Sequence, residues 1–304
     1  MTTRTIPVLN LGYLGVSAPS PDEFRPYGTD VIGCEVRDGA DGAVLLKTDD
    51  RAYRVAVHPT DSRGNITYLG FEVQGPVALK ETREILDAKG VAHELVTGEQ
   101  AYAERKVAEL VRMSDPSGVT VEVYWGQERD YEFTSPQGVS EFVTGEQGLG
   151  HAVVCVGDLD ASLEFYTEVF GFLISDVAVK GGNRTVFLRC GSREHSLAML
   201  QFPPEKSPRL HHFMFEVGEL DDVGKAYDRV IDAGVQLTLT LGKHTNDSMV
   251  SFYCKTPGGY QMEYGWAGKK MAPTDGATTM TKGDVWGHRF VDSGASVNDT
   301  FKKG

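Results

Sequence analysis

Short runs in which hydrophobic and polar residues alternate recur along the whole chain, and helical periodicity appears between them. In HAVVCVGDLDASLEFYTEVFGF and HFMFEVGELDDVGKAYDRVIDAG, an apolar run precedes Gly-Asp or Gly-Glu. Apolar residues at three- and four-residue spacing then follow. The run predicts a strand, the pair after it a turn, and the spacing an amphipathic helix. Later runs such as TVFLRCG and HSLAML predict further strands.

This plan of one strand, one helix and three strands recurs four times, and it predicts an α+β fold. The first unit, near residues 12–57, has the weakest helix because Pro26 and Gly28 interrupt it. One βαβββ module is too small to bury both faces of its sheet. We therefore expect two tandem domains, each with two modules that form a curved, barrel-like mixed sheet around a central cavity, with the helices outside.

The two halves of the chain resemble each other in the same order. LGYLGVSAP (11–19) matches LGHAVVCVG (149–157), and DPSGVTVEVYWG (115–126) matches TPGGYQMEYGW (256–266). The matching segments are about 140 residues apart throughout, which indicates a duplication. The polar stretch 130–145 predicts the boundary, with a first domain over 1–135 and a second over 146–304. Residues 268–304 are expected to form an extended tail.

Composition excludes several classes of function. Of 304 residues, 30 are basic and 43 acidic, so the net charge of −13 disfavours nucleic acid as a partner. No apolar run reaches the roughly 20 residues of a membrane span. The N-terminus lacks the apolar core of a secretion signal, so we expect a cytoplasmic protein. The four cysteines lie far apart without a CxxC pair, which argues against disulfides and a thiolate zinc site.

The histidines distinguish the two halves, because six of the eight lie in the second. When the repeats are superposed, the second half has histidine at three positions where the first half has tyrosine: His151 for Tyr13, His212 for Tyr68 and His195 for Tyr53. Glu263 matches Glu122, a glutamate in both copies. Only the second half is therefore equipped to bind a metal, and the first is a metal-free copy.

Two imidazoles and one carboxylate with open positions are the ligand set of non-haem Fe(II) oxygenases. Zinc is a rival for the same set, and Mn(II) could replace iron. We expect His151, His212 and Glu263 as ligands. His211 should face away from His212, since neighbours in a strand alternate. His288 is interpreted as a tail residue.

The stretch from Gly242 to Glu263 carries a longer motif: a histidine, an apolar residue with tyrosine, Pro-x-Gly and a glutamate. It resembles the signature of the type I extradiol ring-cleavage dioxygenases of the vicinal oxygen chelate superfamily. The resemblance extends from LGYLG near the start to VWGH near residue 285. It implies Fe(II)-dependent cleavage of a 3-substituted catechol by dioxygen, beside the two hydroxyls, as in the degradation of aromatic compounds. A homo-oligomer is expected by resemblance only.

The resemblance also implies roles for single residues. His151, His212 and Glu263 match the family's metal ligands, and His195 matches its acid/base histidine. His244 and Tyr253 match residues that hydrogen-bond the substrate oxygens, and Asp247 matches a supporting polar residue, although it could simply cap a turn.

Three alternatives remain at this point. One is a glyoxalase-like metal-dependent isomerase or transferase, the second a binding module of the bleomycin-resistance type, and the third a dioxygenase of carboxylated catechols. Phe187, Met199 and Phe202 are candidates to line the substrate pocket. Arg184, Lys180 and Lys243 could meet an anionic substrate, although solvated surface charges are the simpler interpretation.

Overall fold

Two large mixed sheets make up most of the molecule. We describe them from a computed structural model, for residues 4–61, 65–130, 133–180 and 182–291. The first sheet has eight strands and the second has ten, and no strand is shared between them. The end of the predicted tail, residues 292–304, lies outside the described residues. Among the helices of the described part of the chain, none is long and apolar enough to cross a membrane.

The first sheet and its helices lie between residues 8 and 125. The strands are β1 (Val8–Ala18), β2 (Glu35–Asp38), β3 (Val44–Lys47), β4 (Val55–Pro59), β5 (Ile66–Val73), β6 (His93–Thr97), β7 (Glu109–Ser114) and β8 (Thr120–Trp125). Their order in the sheet is β2-β3-β4-β1-β5-β8-β7-β6. The helices are α1 (Phe24–Pro26), α2 (Pro76–Ala88) and α3 (Gly98–Arg105), and α1 lies inside a longer run of helical turns over 21–32.

The second sheet repeats this plan and adds two short strands. Its strands are β9 (His151–Val156), β10 (Leu173–Lys180), β11 (Asn183–Arg189), β12 (Leu197–Gln201), β13 (Arg209–Val217), β14 (Leu237–His244), β15 (Val250–Lys255), β16 (Gln261–Trp266), β17 (Thr278–Met280) and β18 (Asp284–Trp286). Their order is β17-β10-β11-β12-β9-β13-β16-β15-β14-β18. The helices are α4 (Leu159–Glu164), which continues as a wider turn over Phe165–Val169, and α5 (Leu220–Asp232).

The predicted βαβββ plan is confirmed in all four units. The first unit keeps helical turns despite Pro26 and Gly28, and they end at Gly33 in the left-handed conformation (φ 82°). The short helix α3 was not predicted. It buries only Ala101, so its sequence carries almost no apolar periodicity.

Strand register confirms the alignment of the repeats. In the first sheet Tyr13 pairs with Gly70, which pairs with Glu122. In the second sheet His151 pairs with Met214, which pairs with Glu263. The two copies therefore place the aligned residues at the same points of the same topology.

The tail packs along the edges of the second sheet. Strand β17 pairs in parallel with β10, and β18 pairs antiparallel with β14, placing Asp284 opposite His244. The described part of the predicted tail is thus partly extended and adds one strand at each edge.

Candidate active site

Three potential metal ligands meet on adjacent strands of the second sheet. His151 begins β9, His212 lies on β13 and Glu263 lies on β16. The Nε2 atoms of the two histidines are 3.2 Å apart. The Oε2 atom of Glu263 lies 3.0 Å from Nε2 of His151 and 3.4 Å from Nε2 of His212. The structure therefore brings together the three residues that the repeat alignment selects.

Burial sets the charges of this triad. It lowers the pKa of both His151 and His212, so both imidazoles are neutral at neutral pH and keep a free lone pair. Burial alone would raise the pKa of Glu263, but its contacts with His151, His212 and His244 hold that pKa well below the usual range. The triad thus consists of two neutral nitrogen donors and one carboxylate.

These donors fit a divalent cation. Oε2 of Glu263 is buried and, among the described residues, has no hydrogen-bond partner, whereas Oε1 accepts a hydrogen bond from Ser251 Oγ at 2.6 Å. A buried carboxylate oxygen that faces no donor or cation is costly. Ligand atoms about 2.1 Å from one ion lie about 3 Å apart when they subtend a right angle, close to the observed separations. The three residues can therefore hold a metal ion.

His195 lies beside the triad. Its ring stacks on His151 with the centroids 4.0 Å apart, and the ring of Phe187 meets it edge-on at 5.0 Å. Its Nδ1 atom is 2.5 Å from the carboxylate of Glu194. Burial alone would lower the pKa of His195, but the Glu194 carboxylate outweighs this and raises it. The ring can therefore hold a proton near neutral pH.

His244 and Tyr253 form a hydrogen-bonded pair on the other side of the triad. His244 Nε2 lies 2.7 Å from the Tyr253 hydroxyl and 3.5 Å from Oε1 of Glu263. Burial opposes the charged form of His244, but Asp284 and Glu263 raise its pKa to about 11. Tyr253 lies directly opposite Glu263 in the β15–β16 pair. Burial raises the pKa of Tyr253 well above its usual range, so its hydroxyl keeps its proton.

Asp247 is buried in the loop between β14 and β15. Its Oδ1 accepts the backbone N–H of Met249 at 2.9 Å, which is the turn-capping role that the sequence also allows. A carboxylate oxygen of Asp247 lies within 4.8 Å of ring nitrogens of His151 and His195. Asp247 is therefore both a turn residue and a polar wall of the site.

All seven predicted residues line one cavity of about 280 Å³. They are His151, His195, His212, His244, Asp247, Tyr253 and Glu263. The rest of the wall includes apolar side chains, among them Val153, Phe187, Leu200 and Leu239. Among the described residues that line it there is no lysine or arginine. The cavity thus joins a polar, metal-competent floor to an apolar wall.

Two of the three predicted pocket residues are wrong, and Phe187 is right. Met199 packs into the hydrophobic core, and its neighbour Leu200 lines the cavity instead, because successive side chains of β12 point to opposite faces. Phe202 is not among the described lining residues and lies 5.6 Å from the guanidinium of Arg209. Arg184 pairs with Asp160 at the surface, as its simpler interpretation predicts.

Two histidines also differ from expectation. His211 does not face away from His212, because a bulge interrupts the β13–β9 register between Leu210 and His212. The Nδ1 atoms of His211 and His212 are 2.7 Å apart, and His211 lines the cavity. His288 is a buried cavity residue, since β18 turns the tail back over β14.

Four polar residues of the site were missed from the sequence: Glu194, Asn246, Asp284 and His288. Asn246 lines the cavity and lies 3.4 Å from Oε2 of Glu194. The stretch DVWGH, from Asp284 to His288, was the one available signal, and it does not show where the tail runs.

The corresponding place in the first sheet holds its glutamate without a metal. Glu122 accepts hydrogen bonds from Tyr13 at 2.8 Å, Arg105 at 2.8 Å and Arg112 at 2.9 Å. Arg112 lies opposite Glu122 as Tyr253 lies opposite Glu263. Guanidinium groups thus supply in the first copy the positive charge that an ion can supply in the second.

Comparison with known proteins places this geometry in a family. Residues 148–264 match the glyoxalase/bleomycin resistance protein/dioxygenase superfamily, and residues 11–59 match the dihydroxybiphenyl dioxygenase BphC D1 model. The chain is 39% identical to biphenyl-2,3-diol 1,2-dioxygenase of Paraburkholderia xenovorans, over 96% of this chain and 99% of that one. It is 37% identical to the iron-dependent extradiol dioxygenase of Rhodococcus jostii, over 93% and 97%.

A solved structure agrees with these relatives. The crystal structure of BphC, a halotolerant catechol dioxygenase, superposes with a TM-score of 0.88 at 35% identity, covering 93% of this chain and 95% of that one. The sequence motif, the duplicated fold and the relatives lead to one assignment. The chain belongs to the extradiol ring-cleavage dioxygenases, within the glyoxalase/bleomycin resistance protein/dioxygenase, or vicinal oxygen chelate, superfamily.

Proposed function

We propose that the protein cleaves a 3-substituted catechol with dioxygen in an extradiol, Fe(II)-dependent reaction, most like that of the biphenyl-2,3-diol 1,2-dioxygenases. The observation that carries the proposal is the convergence of His151, His212 and Glu263 on one point, with Nε2 of each histidine within 3.4 Å of Oε2 of Glu263. His151, His212 and Glu263 would hold the ion. Its relative from Rhodococcus jostii is named an iron-dependent enzyme, which favours iron over Mn(II) or zinc.

When bound, Fe(II) would supply a Lewis acid for the diol and a path for electrons from the diol to dioxygen. The protein supplies the proton transfers. His244 and Tyr253, both protonated at neutral pH, meet a substrate oxygen at the edge of the triad and donate hydrogen bonds to it. His195, on the other side of His151, delivers a proton to the oxygen that is being reduced.

The apolar wall orients the rest of the substrate. Phe187 and Leu200 face the space beside His195 and His151, where a ring substituent would lie. Apolar contact there excludes water from the reacting atoms and keeps the diol directed at the polar floor.

Loading the protein with Fe(II) and adding biphenyl-2,3-diol in air should consume one dioxygen per catechol and give a yellow ring-opened product. Oxygen uptake measures the consumption of dioxygen, and visible absorbance measures the yellow product. A fully loaded protein that takes up no oxygen contradicts the proposal and leaves the isomerase or transferase alternative, for which oxygen is irrelevant. A binding module of the bleomycin-resistance type would need neither the triad nor His195, His244 and Tyr253 around it.

The substituent should be neutral. The described cavity wall contains no lysine or arginine and has three carboxylates, Asp247, Asp284 and Glu263, so a carboxylated side chain would be buried beside negative charge. We expect kcat/KM for 3-(2,3-dihydroxyphenyl)propanoate to be at least about a hundredfold below that for 3-butylcatechol, a substrate of similar length. Equal kcat/KM for the pair would favour the carboxylated-catechol alternative.

The domain boundaries, the cellular location and the oligomeric state stay predictions. The division into domains 1–135 and 146–304 is supported by the two sheets, which lie within residues 8–125 and 151–286. Location in the cytoplasm is an expectation from the sequence, and assembly into a homo-oligomer is an expectation from the resemblance. Size-exclusion chromatography with light scattering would measure the assembly.

A further inference from the structure

A carboxylate carried by the tail contacts two imidazoles of the site. Oδ1 of Asp284 lies 2.9 Å from Nδ1 of His244 and 2.6 Å from Nδ1 of His288. An ionised carboxylate only accepts hydrogen bonds, so both histidines donate from Nδ1. The Nε2 atom of His244 is then left for the Tyr253 hydroxyl and the cavity.

His288 ties this carboxylate to the sheet beneath it. Its Nε2 lies 3.0 Å from the backbone carbonyl of Ser251, so acceptors face both of its ring nitrogens. Ser251 in turn donates from Oγ to Oε1 of Glu263. These contacts fix the ring of His288 and link the tail to Ser251, the residue that hydrogen-bonds Glu263.

Backbone contacts fix the path of the tail. His244 pairs with Asp284 in the β14–β18 ladder, and the N–H of Thr245 donates to the Gly283 carbonyl at 3.0 Å. Gly242 allows the close approach: a Cβ atom there would lie 2.4 Å from the backbone nitrogen of His288. No larger residue fits at Gly242 unless the tail moves.

We infer that Asp284 is a positioning residue for the ring-cleavage reaction: from the tail, it fixes the orientation of the His244 ring so that Nε2 faces the substrate oxygen. The inference rests on the proposed function for its catalytic consequence. The carboxylate itself touches neither the triad nor, on this arrangement, the reacting atoms. Its effect passes through His244, as carboxylates behind catalytic histidines do in general.

Asp284→Asn keeps the shape of the side chain and removes its charge, and it should lower kcat about 10- to 100-fold. KM should change by less than about threefold, and bound iron should stay at the wild-type level, because the triad is intact. Gly242→Ala displaces the tail without removing any polar group, and we expect the same separation of kcat from KM. The matched control is Asp275→Asn, another tail carboxylate, which is exposed and contacts only the Ala272 N–H.

A second measurement does not depend on turnover. In the full-length, metal-free protein labelled with ¹⁵N-histidine, wild type and Asp275→Asn should show strongly deshielded Nδ1 protons on His244 and His288, in addition to that of His195 beside Glu194. Asp284→Asn should lose or shift the signals of His244 and His288 and leave that of His195 unchanged. Unchanged histidine signals together with kcat within about threefold of wild type would overturn the inference. If wild type cleaves no catechol, the proposed function fails, while the nitrogen signals still decide whether Asp284 holds the two rings.

Discussion

Replacing Glu263 with glutamine should abolish tight metal binding and lower kcat at least about a thousandfold, equivalent to about 4 kcal/mol of transition-state stabilisation. The amide that replaces the carboxylate is neutral, so the Oε2 position, which faces His151 and His212 without a hydrogen bond, no longer attracts a cation. Bound iron per protein and oxygen uptake with biphenyl-2,3-diol are the two measurements.

The first copy provides the control for this substitution. Glu122→Gln changes the same residue type at the same place in the topology, but Glu122 is held by Arg105 and Arg112. Bound iron should therefore stay at one equivalent in the folded protein, whatever the effect on stability. If Glu263→Gln retains iron as wild type does, the assignment of the triad is wrong.

Replacing His195 with alanine should lower kcat by about a hundredfold to ten-thousandfold, the range typical of a lost acid or base. Iron content and the anaerobic affinity for catechol should remain close to wild type, because His195 stacks on His151 but is not part of the triad. Single-turnover kinetics after rapid mixing with oxygenated buffer would measure the affected step.

Tyr53→Phe is the matched control for His195→Ala. Tyr53 occupies the corresponding position in the first half and lines a different cavity from His195, so the loss of its hydroxyl should leave both iron and turnover unchanged. Loss of iron in His195→Ala would instead make His195 a ligand. A kcat for His195→Ala within about threefold of wild type would remove it from the proton transfers.

The triad could be predicted because the duplication allows the two halves of the sequence to be compared with each other. The period of two along β9, β13 and β16 fixes which side chains share a face, and the equal register of both sheets places His151, His212 and Glu263 where Tyr13, Tyr68 and Glu122 lie. The prediction of these positions therefore depends only on the pairing of the strands and on the alternation of side chains along them.

The failures come from features without a period. The bulge beside His212 adds one residue to β13 and turns His211 towards the site, and nothing in the alternation of HHFMFEV indicates it. Met199 was predicted to line the pocket, where Leu200 is found. The alternation of side chains along β12 can be assigned to faces only when the residue at which the strand begins, after the bend at 191–196, is known. Asp284 and His288 reach the site through strands of three residues, which are too short to show a pattern.

The guanidinium groups around Glu122 constrain how the two copies could have diverged. A buried glutamate with neither ion nor arginine beside it is an uncompensated charge, and removing one partner of a buried pair commonly costs about 3–5 kcal/mol. On any mutational route between the copies, genotypes that lack both counter-charges are therefore selected against. If the metal-binding copy is ancestral, Arg105 and Arg112 must have appeared before, or together with, the loss of the imidazoles. If the arginine-containing copy is ancestral, the arginines must have been lost only after the imidazoles were gained. The order of those ancestral substitutions is thus restricted by electrostatics rather than by turnover.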